Sequence, residues 1–528
     1  HQYVSFIKIP LKEKFLVLVS LVLYLCSVES LKILVCFPIP VKSLSLLGQG
    51  AVRHLLDAGH EVTYITVYPL KKPPTKNFRQ IDVSNNTALV AADEKFDIAY
   101  IIEHKITHND ALQIQEFSKE NAKLTFQNEN LKKFLQNDNE RFDVVLVDLL
   151  ESEVYAGLAV LYDCPMIWLY SMGAHWQVVR LIDEGSNPAY NPDYLSSSLI
   201  PLSFSERVEA LWARIKWQAL KTFITQPAER TIYEQTFRPL LAKRGRMLPD
   251  YEEVIYNASF IFGNEHNAVR HRPRTPQNFK YIGGFHIEDP VKPLPKDLQD
   301  LMDNSKHGVI YFSMGSFFQS KALPKKLTAG LLKTFGELKQ TVIWKFETDL
   351  PDVPKNVHIV HWAPQPSILS HPNFKIFITH GGLLSSIETI HFGVPVIGIP
   401  VFFDQYTNIK KAVNNGYALS VPLNYDLPKN LKSAIDELVS GMKYSSELSS
   451  IYHDRQTKPG ADLVHWVQHV VSTRGAPHLR SPALDVPLYQ RLYLDLLAII
   501  LGTVSSFYFI ISSICRKSTK KVHHKKNN

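Results

Sequence analysis

Between Trp362 and Gln405 single polar side chains and a glycine pair interrupt apolar runs: WAPQPSILSHPNFKIFITHGGLLSSIETIHFGVPVIGIPVFFDQ. Lys375–Thr379 has the length and pattern of a buried strand and stops abruptly at His380-Gly381-Gly382. Ser385–His391 reads as a helix, Gly393 ends it, and Pro395–Pro400 reads as a second strand. A glycine pair directly after a strand lets the backbone approach a ligand closely. The helix behind it aims free N–H groups and the positive end of its dipole at the same place. An anion suits such a turn, a phosphate above all. A second polar group marks another strand end: Asp143–Val147 reads as a buried strand and ends at Asp148. A carboxylate there can serve a site or simply cap the next helix.

Two α/β units are needed to position these groups. Leu31–Phe37, a loop over Pro38–Ser43, a helix ending at Gly59 and a strand over Glu61–Val67 form a βαβ opening, which predicts a parallel sheet. Strands at Asp143–Val147, Pro165–Tyr170, Ser259–Phe262 and Lys280–Ile282 continue it. Glu206–Phe223 has helical spacing in an aromatic and basic stretch; it roofs a pocket or packs as an ordinary helix. Gly283-Gly284 through Pro295 is a bridge. The pattern restarts at Val309–Ser313 with Met314-Gly315-Ser316 behind it, then a helix over Lys325–Leu338, strands at Thr341–Lys345 and His358–Val360, and a closing helix Asn430–Val439. After about residue 470 the chain is expected to cross back to the first unit. The segments expected are 1–30 (signal peptide), 31–284 (acceptor-binding domain), 285–475 (donor-binding domain), 476–491 (linker), 492–515 (transmembrane helix) and 516–528 (basic tail).

The 44 residues from Trp362 to Gln405 resemble, without a gap, the signature of the UDP-glycosyltransferases, and weaker similarity of an insect type extends over most of the chain. The resemblance implies the fold called GT-B, an α/β arrangement of two facing Rossmann-like doubly wound domains, here with a C-terminal transmembrane helix. It implies transfer of a hexose, glucose before glucuronate, from a UDP-sugar to a small lipophilic acceptor with inversion. UDP-sugar is then a co-substrate, and neither a cofactor nor a metal is expected. By the same resemblance Trp362 stacks on uracil, Gln365 bonds the ribose or base, and Glu388 accepts from ribose hydroxyls. His380, the N–H groups beyond Gly381 and Gly382, Ser316 and Ser385 meet the diphosphate. Asp404 and Gln405 hold sugar hydroxyls. Many members carry Asn two residues after the glycine pair; this chain has Leu384.

In the family a His after the first strand takes the acceptor's proton, and a strand-ending Asp orients it. Asp148 matches the Asp. The His position is Leu44, and His54 and His60 lie too far along the chain to replace it. The expectation is therefore transfer to nucleophiles that need little deprotonation. The alternative is a UDP-sugar binder with little turnover that acts as a dimer partner, so a homo- or heterodimer stays open.

Composition bounds the compartment. The net charge is +8, but the tail beyond Cys515 holds Arg516, Lys517, Lys520, Lys521, Lys525 and Lys526, which leaves the body near neutral and excludes a nucleic-acid stripe. Lys8, Lys12 and Lys14 before the apolar run Phe15–Cys26 read as a secretory signal. Leu496–Cys515 is uncharged and long enough to cross a bilayer, with basic residues directly after it. Together they predict a single-pass type I protein of the endoplasmic reticulum membrane, body lumenal and tail cytoplasmic, with Lys525-Lys526 as a dilysine address. Cys36 and Cys164 are expected as free thiols. Asn85 and Asn257 open glycosylation sequons. Gly48-Gln49-Gly50-Ala51-Val52-Arg53 is a partial dinucleotide fingerprint, but it lacks the third glycine and an acidic end to the second strand.

Overall fold

The computed structural model describes residues 30–526 except 92–97, 105–110, 151, 192–195, 197, 267–273, 317–319 and 441–445. The expected signal segment, apart from Ser30, and Asn527-Asn528 lie outside the described residues. The strands are β1 (Lys32–Phe37), β2 (Glu61–Thr66), β3 (Phe78–Asp82), β4 (Val144–Asp148), β5 (Met166–Tyr170), β6 (Phe260–Gly263) and β7 (Phe279–Tyr281) in a first sheet of order β3-β2-β1-β4-β5-β6-β7. β8 (Val309–Ser313), β9 (Thr341–Lys345), β10 (Val357–Val360), β11 (Phe374–Thr379), β12 (Val396–Gly398) and β13 (Ala418–Ser420) form a second sheet of order β10-β9-β8-β11-β12-β13. Every pairing is parallel.

Helices cover both faces of each sheet, which is why the central strands are apolar throughout rather than alternating. Leu34, Cys36, Val145 and Val147 enter one core of the first domain. Their neighbours Ile33, Val35, Val144 and Leu146 enter the core on the opposite face. Strands β3 and β13 escaped the sequence reading because FRQID is largely polar and half-exposed and ALS is only three residues long.

Three local differences matter for the site. The first helix spans Lys42–Asp57 and begins inside the stretch expected to be loop, so Lys42 and Leu44 lie in its first turn. β4 includes Asp148 as its last residue rather than stopping before it. The return crossing comes earlier than about 470: helix Pro459–Ser472 already packs on Lys42–Asp57. Its Leu463, Val467 and Val470, at i, i+4 and i+7, join the first-domain core. The final helix, Leu494–Lys526, contains an apolar stretch, Leu494–Arg516, of mean hydropathy 2.1 that is long enough to cross a bilayer.

Candidate donor and acceptor site

In both sheets the strand order reverses beside the first strand, between β1 and β4 and between β8 and β11. Crevices open at such switch points, outside the carboxyl ends of the strands. The polar residues named from sequence lie there: Asp148 at the end of β4, Ser316 just beyond β8, and His380-Gly381-Gly382 beyond β11.

His380 is held by glycines from two turns. A Cβ on Gly315 would stand 2.5 Å from its ring, and one on Gly382 would stand 2.6 Å from it. Gly315 also has φ +88 and Gly381 has φ +85, a region that glycine enters without steric cost. Burial, with Lys345 as the second cause, pushes the His380 pKa down to about 4, so the ring is neutral at pH 7. Gly382 caps helix Leu383–Phe392 without any side-chain cap, which leaves the N–H groups of its first turn to a ligand.

Behind this turn three of the expected donor residues are wired together. The Gln365 amide donates to Ser385 Oγ at 3.0 Å and to Glu388 Oε2 at 2.6 Å. The second oxygen of Glu388 lies 3.2 Å from His286 Nε2, in the bridge between the domains. Asp404 caps helix Gln405–Asn414 and receives the Asn408 amide at 2.7 Å; burial raises its pKa to about 6. It follows Phe403, whose φ of +54 turns the chain at this corner. Gln405 is committed differently from the expectation. Its Oε1 accepts from the backbone N–H groups of Val401 (2.9 Å) and Phe402 (3.2 Å), so only its amide nitrogen is left to face a sugar.

Trp362 is half-exposed, as a stacking platform must be, but its face is covered from the other domain. Lys42 Nζ lies 3.5 Å from the ring centroid, a cation–π contact across the cleft. Lys345 Nζ approaches the same ring to 5.9 Å and is tied to the Gly315 carbonyl at 2.9 Å. Burial and then Lys345 depress the Lys42 pKa. Sequence reasoning missed Lys42, Lys345 and His286. A Lys at a helix start directly after the first strand was a visible signal for the first; the other two are brought in only by the packing of the domains.

On the first domain Asp148 is fully buried, and neither carboxylate oxygen has a hydrogen-bond partner. Burial alone lifts its pKa to about 8, so at neutral pH it is predominantly the uncharged acid. Leu44 is buried in an apolar cluster with Phe37, Ile39 and Leu47. Leu384, from the second domain, packs against that same cluster. Leu44 and Leu384 therefore both belong to one apolar cluster that reaches from the first domain to the second. Lys411 with Glu265 (3.1 Å) and Thr407 with the Ser196 carbonyl (2.7 Å) add polar contacts between the domains. Among the described residues no three His, Cys, Asp or Glu side chains converge as metal ligands.

The arrangement offers a flat aromatic face, a hydrogen-bonding trio, a helix N-terminus beside a neutral His, and a cleft between two doubly wound domains. Comparisons with known proteins agree with it. The family sequence model described as "UDP-glucoronosyl and UDP-glucosyl transferase" matches residues 40–528. The chain is 32% identical to UDP-glucosyltransferase 2 of Dactylopius coccus over 93% of either chain. It is 29% identical to human UDP-glucuronosyltransferase 2B15 over 76% of this chain and 75% of that one. In solved structures the same fold occurs in CalG4, the calicheamicin glycosyltransferase, with a TM-score of 0.53, 17% identity, and coverage of 85% of this chain and all of that one. A GT-B glycosyltransferase fold, the donor signature and a family match over nearly the whole length lead to one conclusion: the chain belongs to the UDP-glucuronosyl and UDP-glucosyl transferase family.

Proposed function

We propose that this UDP-glycosyltransferase moves glucose, with glucuronate as the second choice, from its UDP conjugate to small lipophilic acceptors, with inversion. It does so best when the acceptor needs little deprotonation. In this reading uracil takes the Trp362 face in place of Lys42. The Gln365–Ser385–Glu388 trio meets the ribose and the near phosphate. His380, Ser316 and the N–H groups beyond Gly381 and Gly382 face the diphosphate, and Asp404 with the amide of Gln405 face the sugar. The acceptor's nucleophile forms its bond to the anomeric carbon as the carbon–phosphate oxygen bond breaks. Its proton goes to water, before attack for a phenol or thiol and after it for an amine. UDP leaves with the electron pair of the broken bond, stabilised by the neutral His and the helix N-terminus.

The observation that carries the acceptor class is the state of Asp148. With Leu44 at the His position it has no imidazole to orient, and as an uncharged acid it cannot take a proton. Amines, thiols and acidic phenols attack without a strong base; aliphatic alcohols do not. A His base contributes about 10²–10⁴-fold. The test compares an aliphatic alcohol, a phenol and an amine as acceptors for the native chain and for Leu44→His, with product mass as the readout. Turnover of the alcohol that rises only in Leu44→His supports the reading; no gain there sinks it.

A second reading is favoured by the contacts between the domains. Leu384 on the apolar cluster of the first domain and Lys42 on the Trp362 ring both join the two domains. A chain that binds UDP-sugar but turns it over slowly, as a dimer partner, would look the same. Calorimetric binding of UDP-glucose without transfer to any acceptor class distinguishes it. The expected setting is the membrane of the endoplasmic reticulum, body lumenal and tail cytoplasmic, serving detoxification or conjugation of endogenous metabolites. The exposed Asn85 and Asn257 suit glycans in that compartment.

A further inference from the structure

A carboxylate offers about four lone-pair sites, shared between its two oxygens. On Glu388 one site of each oxygen is already taken. The Gln365 amide donates to Oε2 at 2.6 Å, and His286 Nε2 lies 3.2 Å from Oε1. Carboxylate oxygens only accept, so Nε2 of His286 is the donor. One site on each oxygen stays free, which matches the neighbouring hydroxyls of a ribose. The His286 and Glu388 side chains are only 3% and 6% exposed, so water does not weaken their contact. His286 Nδ1 is buried without a hydrogen-bond partner. The one polar contact of this ring is therefore Glu388. Held at Oε2 alone, the carboxylate is free to turn about that contact; held at both oxygens, its plane is fixed.

The backbone that carries His286 is gripped from two sides. Arg53 donates to the carbonyls of Phe285 at 3.0 Å and of His286 at 3.4 Å, and His54 Nε2 lies 2.8 Å from the Phe285 carbonyl. Both residues sit on the first-domain helix Lys42–Asp57. From the other side Arg455 donates with both terminal nitrogens to the Gly283 carbonyl at 3.1 Å, and the Tyr452 hydroxyl donates to the same oxygen at 3.4 Å. The helix also makes room for the bridge: a Cβ on Gly50 would stand 3.0 Å from His286 Cα. The second glycine of Gly48-Gln49-Gly50 thus has its use in the close approach of the bridge.

We propose that His286 is a positioning residue of the donor site: it holds the Glu388 carboxylate in the plane that two ribose hydroxyls require, and so sets the preference for a ribonucleotide over a deoxyribonucleotide. The bridge fixes the ring, and the ring fixes the carboxylate. This rests on the reading of Glu388 as the ribose acceptor, and the test separates the two.

Calorimetry on the full chain in detergent compares UDP with 2′,3′-dideoxy-UDP, which keeps the uracil and the diphosphate and lacks both hydroxyls. The native chain is expected to prefer UDP, and Glu388→Ala to lose that preference. His286→Leu should weaken UDP binding about 10-fold, the size of one hydrogen bond to a charged group, and leave 2′,3′-dideoxy-UDP within about twofold. His286→Gln, whose amide again donates toward Oε1, should recover most of the loss. His286→Asn, too short to reach the carboxylate, should behave as His286→Leu and decides the matter if His286→Leu has no melting transition. Unchanged UDP affinity, equal weakening of both nucleotides, or no recovery in His286→Gln assigns His286 to packing alone and overturns the proposal, with Glu388 still on the ribose. A native chain that binds both nucleotides alike, or a Glu388→Ala chain that keeps the preference, removes Glu388 from the ribose and the proposal with it.

Discussion

Replacing Asp148 by Asn tests the electrostatics of the acceptor side directly. The folded pKa is about 8 and the free carboxyl value is 3.8. Between those values the folded chain holds one proton more than the unfolded chain at this position. Stability therefore falls as pH rises through that window, by about 1.4 kcal/mol per unit from this group, and levels off above about pH 8. Below about pH 4 both states are protonated and the dependence vanishes. Over pH 5 to 8 the group removes about 4 kcal/mol. Asn has nearly the same shape and no proton to exchange. Its own unsatisfied amide adds an offset that does not vary with pH. The slope of the difference is the readout, not its size at one pH. At about 2–4 °C per kcal/mol for a domain of this length, the Tm of Asp148→Asn should gain on the native chain by about 8–16 °C between pH 5 and pH 8. Differential scanning fluorimetry at one scan rate, with both proteins in the same detergent, measures it. Parallel Tm–pH curves would refute the uncharged buried acid, and with it the argument that Asp148 cannot act as a base.

Three further outcomes follow from the donor face. Trp362→Ala should weaken UDP binding by about 1–3 kcal/mol, the range for stacking of one base on an aromatic ring, which is about 5–150-fold by calorimetry. Gly382→Ala should lower affinity for UDP-glucose with little change in Tm, because Gly382 has an ordinary φ of −61 and the nearest neighbours of its added Cβ are atoms of the His380 ring, which can turn aside; a large loss of stability with unchanged affinity would contradict that. Because the pKa of His380 lies near 4, the affinity for UDP-glucose should be flat from about pH 5.5 to pH 8 in the native chain. A tenfold loss per unit above pH 6 would mean that the ring binds as a cation.

Much of the second α/β unit was legible because its requirements are local. A strand that must be buried on both faces is written as an apolar run, as in Val309–Ser313 and Phe374–Thr379. A turn that must let a ring and a ligand approach is written as glycine, and Gly315, Gly381 and Gly382 all prove to be crowded. The spacing of Trp362, Gln365, His380, Ser385 and Glu388 follows from the period of one βαβ unit. The polar, half-buried β3 and the three-residue β13, by contrast, leave too short an apolar pattern to be read, and both were missed for that reason.

What only the tertiary structure decided is everything that crosses the cleft. Lys42 and Trp362 are 320 residues apart in the chain and touch ring to ammonium. Leu44 and Leu384 read separately as two lost polar groups; in the fold both belong to one apolar cluster. Gln405 reads as a sugar ligand, yet its carbonyl closes a backbone turn. The charge on Asp148 was equally invisible, since a carboxyl group's ionisation depends on how completely the chain around it excludes water. Local sequence sets which turn can face a phosphate. The partners and protonation of the groups around it are set by distant segments, and no spacing along the chain records them.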